Sequence, residues 1–409
     1  MSEVKEETIK FVKSGKEKEE ILSEFREYII KQIKDAKFLN FFFGSGCSKP
    51  KVKLLSEMFK LNNDNDFFIS LRENDSNFDS KYASFESNEP EAFNLIKKIL
   101  LPTLPTPEKP LNIEEFLNLV NPLIDYTQTL TRDDSSYEAA YSYLSVLKET
   151  VTKIIIKNIK KGMESEGDNH YKHLIENIIE IKELNTYNND HEVINIFTTN
   201  YDLMIEEALE SRDCKYTTGF SGEYERTFDG TDFDYRLVDD KKRFRTKWDE
   251  FGRYFRLFKL HGSLNWLKKD EKIIMSDQWK ESSSINEAVI FPSANKHIES
   301  LSNPFSFLIR NFSNALSRAN SLLIIIGYSF SDSHINEVIK ESIDSNILVV
   351  VFINYGNVDK IKEKLGEDKY SQIILISSNL ENDGVEPYKL EWINKQLMER
   401  TKNNNGKRS

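Results

Sequence analysis

The feature that most constrains the fold is a series of short apolar segments in the second half of the chain. They begin at Val193, and each ends in small or polar residues: VINIFTTN, FRLFKLHGS, AVIFPS, SLLIIIGYS, NILVVVFIN and QIILIS. Helical patterns separate several of them, at 203–211, 305–319, 333–342 and 357–366. Buried strands that alternate with helices are typical of a parallel sheet. The sequence therefore predicts an α/β fold with a mainly parallel sheet.

The first half of the chain is dominated by helical periodicity. A helix is predicted over 6–36, because Leu22, Phe25, Ile29 and Ile33 recur at three- and four-residue steps. The apolar segment FLNFFF then predicts a strand that runs into the glycine-rich sequence GSGCS. Residues 60–110 are rich in turn-forming residues and prolines, which predicts irregular structure. Further helices are predicted over 112–120, 136–160 and 170–183.

These patterns predict a discontinuous domain organisation. Residues 1–60 and 190–400 are expected to form the α/β domain, and 61–189 a mainly helical insert. Within the α/β domain, the aromatic and glycine-containing stretch 213–254 predicts a small β-rich excursion. The tail 401–409 is expected to be disordered.

Composition excludes several classes of protein. Lys and Arg total 56 against 67 Asp and Glu, so the net charge is −11 and direct nucleic-acid binding is not expected. No apolar run approaches the roughly 20 residues that a membrane span needs. The N-terminal sequence MSEVKEETIK lacks the apolar core of a signal peptide, so a cytoplasmic location is expected. With two cysteines, one chain can form neither a disulfide framework nor a four-thiolate zinc site.

Small and polar residues follow several of the predicted strands, where open α/β sheets bind their ligands. These residues are Gly44, Ser45, Gly46, Cys47 and Ser48 after the first strand; Thr198, Thr199, Asn200, Tyr201 and Asp202; His261, Gly262 and Ser263; Gly327, Tyr328 and Ser329; and Asn354, Tyr355 and Gly356. The sequence therefore predicts a polar ligand site along one edge of the sheet.

Two of these groups have more than one interpretation. GSGCS after a strand lets backbone N–H groups approach a phosphate, but a tight turn needed for packing has the same sequence. The Asn200 amide is suited to hold a ribose hydroxyl or a water molecule. Asp202 is a candidate for the same site and also for the N-cap of the following helix, and the two roles are compatible.

His261 is the best candidate for a catalytic base. It lies between an apolar strand and a glycine, and its ordinary pKa near 6.5 suits proton transfer at neutral pH. The alternative is a buried structural histidine. His334 follows GYSFSDS near the same edge, and a helix-terminal role is favoured for it. For Cys47, burial as a small apolar residue is favoured over a role as nucleophile.

Taken in order, GSGCS, TTNYD, KLHGSLNW, IIIGYSFSD and VVFIN resemble the motif series of the sirtuin superfamily. They are more similar to its bacterial anti-phage defence branch. The resemblance extends from about residue 38 to residue 355 and implies a sirtuin-like Rossmann fold that binds NAD+.

The resemblance also implies roles for individual residues. Asn200 and His261 would be catalytic, with Asn200 beside the nicotinamide ribose and His261 as the ribose-side base. The residues implied to bind NAD+ are Gly44, Ser45, Gly46 and Ser48 at the pyrophosphate, Asp202 at the nicotinamide pocket, Gly327, Ser329 and Asn354 at the adenosine half, and Thr199 and Tyr328 within the same motifs.

Two departures from the deacylating sirtuins favour a different reaction. The four cysteines of their zinc ribbon are absent, and SKPKVKLLSEMF stands where they carry Gly-Ile-Pro-x-Phe-Arg. Relatives in the defence branch hydrolyse NAD+ during infection. The resemblance thus implies an NAD+ glycohydrolase that produces nicotinamide and ADP-ribose in abortive infection, with NAD+ as substrate and no metal.

The defence branch also implies an assembly. Its members commonly form homo-oligomers and work with a HerA-type translocase or, less often, a short Argonaute. The chain ends soon after the sheet, so we expect a separate partner chain rather than an appended sensor domain. Two alternatives stay open: a zinc-independent deacylase or ADP-ribosyltransferase, and a non-catalytic sensor of NAD or ADP-ribose.

Overall fold

A computed structural model describes most of the chain. The described residues are 7–58, 113–131, 137–183, 193–244, 247–250, 253–270, 272–277, 303–343, 347–353, 358–378 and 386–405. Several predictions lie outside them: the irregular stretch 60–110, the strand AVIFPS, Asn354 and residues 406–409 of the tail. Residues 401–405, which are predicted to be disordered, instead continue the helix Leu390–Asn405. Within the described part, no helix is both long and apolar enough to cross a membrane.

The helices and strands are as follows. Helices cover Leu22–Asp35 (α1), Leu55–Met58 (α2), Ile113–Thr131 (α3), Glu138–Glu164 (α4), His170–Glu183 (α5), Met204–Glu210 (α6), Phe305–Leu316 (α7), Ser333–Ile343 (α8), Val358–Leu365 (α9), Glu367–Tyr370 (α10) and Leu390–Asn405 (α11). Strands cover Thr8–Lys13 (β1), Lys16–Ile21 (β2), Phe38–Phe43 (β3), Ile194–Thr198 (β4), Lys215–Thr217 (β5), Phe220–Ser221 (β6), Thr227–Phe228 (β7), Val238–Phe244 (β8), Lys247–Glu250 (β9), Tyr254–Lys259 (β10), Trp266–Lys269 (β11), Lys272–Met275 (β12), Ser321–Ile326 (β13), Leu348–Ile353 (β14) and Ile373–Ser377 (β15).

Contacts divide the chain into two compact units. The first consists of Met1–Lys51, Glu166–Ser276 and Ser300–Ser409, and the second of Val52–Ser165 and Asp277–Glu299. Helix α5 belongs to the first unit. In the second unit, the predicted apolar stripe of α4 is buried: Leu144, Leu147, Val151 and Ile155.

The described part of the first unit forms a nine-stranded sheet in the order β2-β1-β15-β14-β13-β3-β4-β10-β5. All pairs from β15 to β5 are parallel, and only β1 and β2 are antiparallel to their neighbours. The predicted mainly parallel α/β sheet is therefore confirmed. From β3 the chain proceeds to β4 and β10 on one side and to β13, β14 and β15 on the other. The strand order thus reverses between β3 and β13, which is where doubly wound sheets open a ligand crevice.

The N-terminal helix prediction is wrong for its first half. Residues 8–21 form the β1–β2 hairpin, and α1 begins only at Leu22. The two turn residues Ser14 and Gly15 both have positive φ (55° and 71°), as a type I′ hairpin turn requires. The run KEKEEI has helical composition, but on the sheet edge its charges remain in solvent and discourage pairing with another chain.

The core lies on the central strands. Phe41, Phe42 and Phe43 of β3 are fully buried, so these aromatic residues belong to the sheet core. The predicted β-rich excursion is also observed, because β5 to β9 all lie between residues 213 and 254. Part of it joins a four-stranded sheet in the order β11-β12-β7-β6.

Candidate functional site

The glycine-rich turn after β3 packs directly against the turn after β13. Gly44 N donates to the Ile326 carbonyl (2.9 Å) and Gly46 N donates to the Gly327 carbonyl (3.0 Å). A Cβ atom on Gly44 would lie 2.4 Å from the Gly327 oxygen, and one on Gly327 would lie 2.7 Å from Cys47 N. Only glycine permits this approach at the switch point. The packing interpretation of GSGCS is thus observed, while its contact with a phosphate stays a prediction.

The residues after Gly327 differ in their surroundings. Gly327 has a φ of 64°, and Ser329 is exposed. Tyr328 is buried, and its hydroxyl donates to the Asp332 carbonyl (3.2 Å) and contacts the Asn336 side chain (3.1 Å). Tyr328 therefore holds the start of α8. Its ring packs on Phe42, which gives it a role in the core as well.

Asn200 is the centre of a buried polar cluster. Its Nδ2 donates to the Gly44 carbonyl (3.1 Å) and to Ser48 Oγ (3.1 Å), and it lies 3.4 Å from the Tyr171 hydroxyl. Its backbone N donates to Thr198 Oγ1 (3.0 Å). Its Oδ1 is buried and has no hydrogen-bond partner among the described residues. Because unpaired buried oxygens are costly, this acceptor is suited to a hydroxyl of a ligand.

The N-cap prediction for Asp202 is wrong, because Leu203 is the N-cap of α6, while a role of Asp202 in the ligand site stays a prediction. Its Oδ1 accepts a hydrogen bond from Met204 N (3.1 Å), two residues further on, which forms an Asx turn just before α6. Its Oδ2 accepts from Ser48 Oγ (2.8 Å), which links it to the Asn200 cluster. The structure therefore brings Ser48, Asn200 and Asp202 together, while Thr199 is half-buried beside them and Ser45 is exposed.

Sequence reasoning missed a buried ion pair beneath this cluster. Lys259 Nζ lies 3.1 Å from Glu206 Oε1 and donates to the Asp202 carbonyl. The Lys259 side chain is 0% exposed and that of Glu206 is 11% exposed. Burial raises the pKa of the Glu206 carboxyl, and the Lys259 ammonium opposes that rise. The sequence does carry a signal for this pair. Lys259 stands at the end of an apolar strand, and a lysine buried there almost always has a charged partner.

Tyr171 is the second missed residue. This α5 side chain is fully buried, and its hydroxyl lies 3.4 Å from both Ser48 Oγ and Asn200 Nδ2. Burial raises its pKa well above the ordinary value, so the hydroxyl is neutral at physiological pH. Cys47 lies nearby with its thiol donating to the Ile326 carbonyl (3.0 Å), and burial raises its pKa as well. This is the packing role favoured for Cys47, since a nucleophilic cysteine needs a lowered pKa.

His261 lies beyond β10, the strand next to β4. Thr198 and Lys259 are paired across these parallel strands, so Asn200 and His261 each follow their strand by two residues. His261 is 3% exposed, and its Nε2 lies 3.3 Å from Nε2 of His334. His334 is in the first turn of α8 and half-buried. His334 thus occupies the helix-terminal position favoured for it and also contacts the candidate base.

The described residues contain no group of three or more His, Cys, Asp or Glu side chains placed to hold a metal ion.

Comparison with known proteins supports one family. Residues 194–374 match the family model of the SIR2-like domain. The match begins at β4 and includes Asn200, Asp202, His261 and Gly327, but not the turn after β3. It fits the sirtuin-like Rossmann fold expected from the sequence, and SIR2-like domains use NAD+. No curated protein matches the chain.

Proposed function

We propose that this chain is an NAD+ glycohydrolase that cleaves NAD+ to nicotinamide and ADP-ribose and so depletes the cell of NAD+ in abortive anti-phage defence. The SIR2-like domain supports an NAD-dependent activity. The hydrolytic reaction and its role in defence are our extension, based on the motif resemblance and on the site described above.

The unpaired oxygen of Asn200 carries the proposal. Nδ2 is held by Gly44 and Ser48, so the amide is oriented and Oδ1 is left as a buried acceptor among the described residues. A ribose hydroxyl or a water molecule supplies the missing donor. Such an oriented group acts in catalysis because it is in place before the reaction begins.

The reaction needs little from the protein beyond positioning and one base. The bond between nicotinamide and the anomeric carbon breaks, and its electron pair neutralises the positive pyridinium nitrogen. Water forms the new bond to that carbon and loses a proton, which His261 accepts. The products are nicotinamide, ADP-ribose and a proton, so the atoms and charges balance. General-base assistance of this kind contributes about 10²–10⁴-fold to a rate.

The test is release of nicotinamide. Purified protein is incubated with NAD+, with and without phage extract, and nicotinamide is followed by chromatography. We expect Asn200→Ala and His261→Ala each to lose almost all activity while circular dichroism stays unchanged. His173→Ala is the matched control, since His173 is a surface histidine bound to Asp168 in the same unit. Full activity in either site variant would refute the assignment.

An acetylated peptide separates hydrolysis from its rivals. A deacylase or ADP-ribosyltransferase consumes an acceptor, so added peptide would speed nicotinamide release, whereas a hydrolase ignores the peptide. Binding of NAD+ or ADP-ribose without turnover in every condition would identify a sensor instead.

The assembly is part of the proposal. We propose a cytoplasmic homo-oligomer that works with a separate partner chain. A HerA-type translocase is favoured as that partner over a short Argonaute. Light scattering of the isolated chain should give a mass above that of one subunit, and co-expression with a HerA-type translocase should yield a joint complex. A mass equal to that of one subunit would refute the proposed homo-oligomer.

A further inference from the structure

His334 is the histidine that contacts the candidate base. The two Nε2 atoms are 3.3 Å apart, and the ring centroids are 5.4 Å apart with an interplanar angle of 33°. The distance permits a hydrogen bond through Nε2. His334 belongs to α8, the helix whose start is held by the Tyr328 hydroxyl, so a buried hydrogen-bond network supports its backbone.

The chemistry of imidazole limits how such a pair can work. A neutral imidazole has one N–H and one lone pair, so a hydrogen bond between two Nε2 atoms needs a proton on one of them and a lone pair on the other. When His261 accepts a proton from water, both its nitrogens carry hydrogen. Its Nε2–H then points at His334 and needs an acceptor there. Neutral His334, with its own proton on Nδ1, provides that acceptor.

We propose that His334 is a positioning residue for His261: it fixes the orientation of the His261 ring and stabilises the imidazolium by accepting a hydrogen bond from its Nε2–H. The inference rests on the proposed function, because it assumes that His261 acts as the base. Bases in other enzymes are commonly oriented by a third group in this manner. His334 itself does not need to touch the substrate.

Two substitutions and a control test the role. His334→Leu removes the acceptor and keeps an apolar side chain, whereas His334→Gln keeps an amide oxygen that can accept from His261. We expect His334→Leu to lower kcat by about tenfold or more, a share of the general-base contribution, with KM little changed. His334→Gln should restore most of kcat. His173→Gln should behave as the wild type.

A second measurement does not depend on turnover. Nitrogen-15 spectra of histidine-labelled protein report which ring nitrogen carries hydrogen, and the His261 signals are identified by their loss in His261→Ala. In the wild type we expect one Nε2 proton shared between His261 and His334. In His334→Leu the His261 signals should shift, and in His334→Gln they should return toward the wild-type values.

The outcomes separate the two proposals. Unchanged kcat and unchanged His261 signals in His334→Leu, with an active wild type, would overturn the role of His334 and leave the hydrolase intact. Shifted His261 signals in a wild type that releases no nicotinamide would overturn the hydrolase and leave the histidine pair intact. A loss of kcat that His334→Gln does not relieve would also count against the acceptor role.

Discussion

The buried pair of Lys259 and Glu206 allows the sharpest test of how the site is held. The ammonium and the carboxylate are 3.1 Å apart, the ammonium also donates to the Asp202 carbonyl, and the lysine side chain has no exposed surface. The perturbation is Lys259→Met, which keeps most of the side-chain volume and removes the charge. It leaves the Glu206 carboxylate buried without its cation.

The magnitude follows from the distance and the burial. At an effective dielectric constant of about 20, charges 3.1 Å apart attract by about 5 kcal/mol. Desolvation of both groups offsets much of this attraction in the wild type, but when Lys259 alone is removed the desolvation cost of Glu206 remains and the attraction is lost. Breaking a buried pair typically costs about 3–5 kcal/mol of unfolding free energy. Removing both charges, in Lys259→Met with Glu206→Gln, should cost clearly less than Lys259→Met alone.

The pH dependence of the stability loss in Lys259→Met provides an independent test. Burial already raises the pKa of Glu206, and loss of Lys259 removes the group that opposes this rise. A carboxyl with a raised pKa in the folded state binds its proton more tightly there, so its contribution to stability falls as pH rises. The deficit of Lys259→Met relative to the wild type should therefore shrink as pH is lowered from 7 toward 5.

Thermal unfolding at pH 7 and pH 5 measures both effects. The control is Lys269→Met, which breaks an exposed pair with Glu225 (side chains 57% and 41% exposed) and should leave the stability nearly unchanged, because solvent screens exposed charges. The reasoning fails if Lys259→Met is no worse than this control. It also fails if the double variant loses as much as the two single variants combined, because the charges would then act independently.

Two further predictions concern the turns and the thiols. Gly44→Ala should lower the stability by about 1–3 kcal/mol in thermal unfolding, because its Cβ would lie 2.4 Å from the Gly327 oxygen; an unchanged melting temperature would contradict the close packing. Native protein should react slowly with a thiol reagent at pH 8, because burial raises the pKa of Cys47 and raises that of Cys214 to about 11. After unfolding, both thiols should react. A rapidly reacting thiol in the native protein would contradict that result.

The sheet could be predicted because its strands are buried on both faces. Segments such as SLLIIIGYS carry no alternation of polar residues, and that pattern belongs to parallel strands covered by helices. The N-terminal hairpin could not be separated from a helix in this way. Its second strand is KEKEEI, whose residues have high helix propensity, and only the Ser14–Gly15 turn and pairing with the sheet select the strand.

The site was partly predictable for a related reason. Polar residues at strand ends identify an edge of the sheet, so Ser48, Asn200 and Asp202 could be grouped before their contacts were known. Tyr171 could not be added to that group. It lies in helix α5, and nothing in the local sequence indicates that its hydroxyl reaches Asn200.

The strand register explains why the two catalytic candidates follow neighbouring strands at the same level. Phe43 pairs with Thr198, and Thr198 pairs with Lys259, so three neighbouring strands end at the same level. Thr198 reinforces that alignment, because its Oγ1 donates to the Phe43 carbonyl (2.8 Å) and accepts from Asn200 N. A shift of one residue in either pair would turn these side chains to the opposite face of the sheet. The placement of Asn200 and His261 therefore depends on the apolar residues that set the register as much as on the polar residues that follow them.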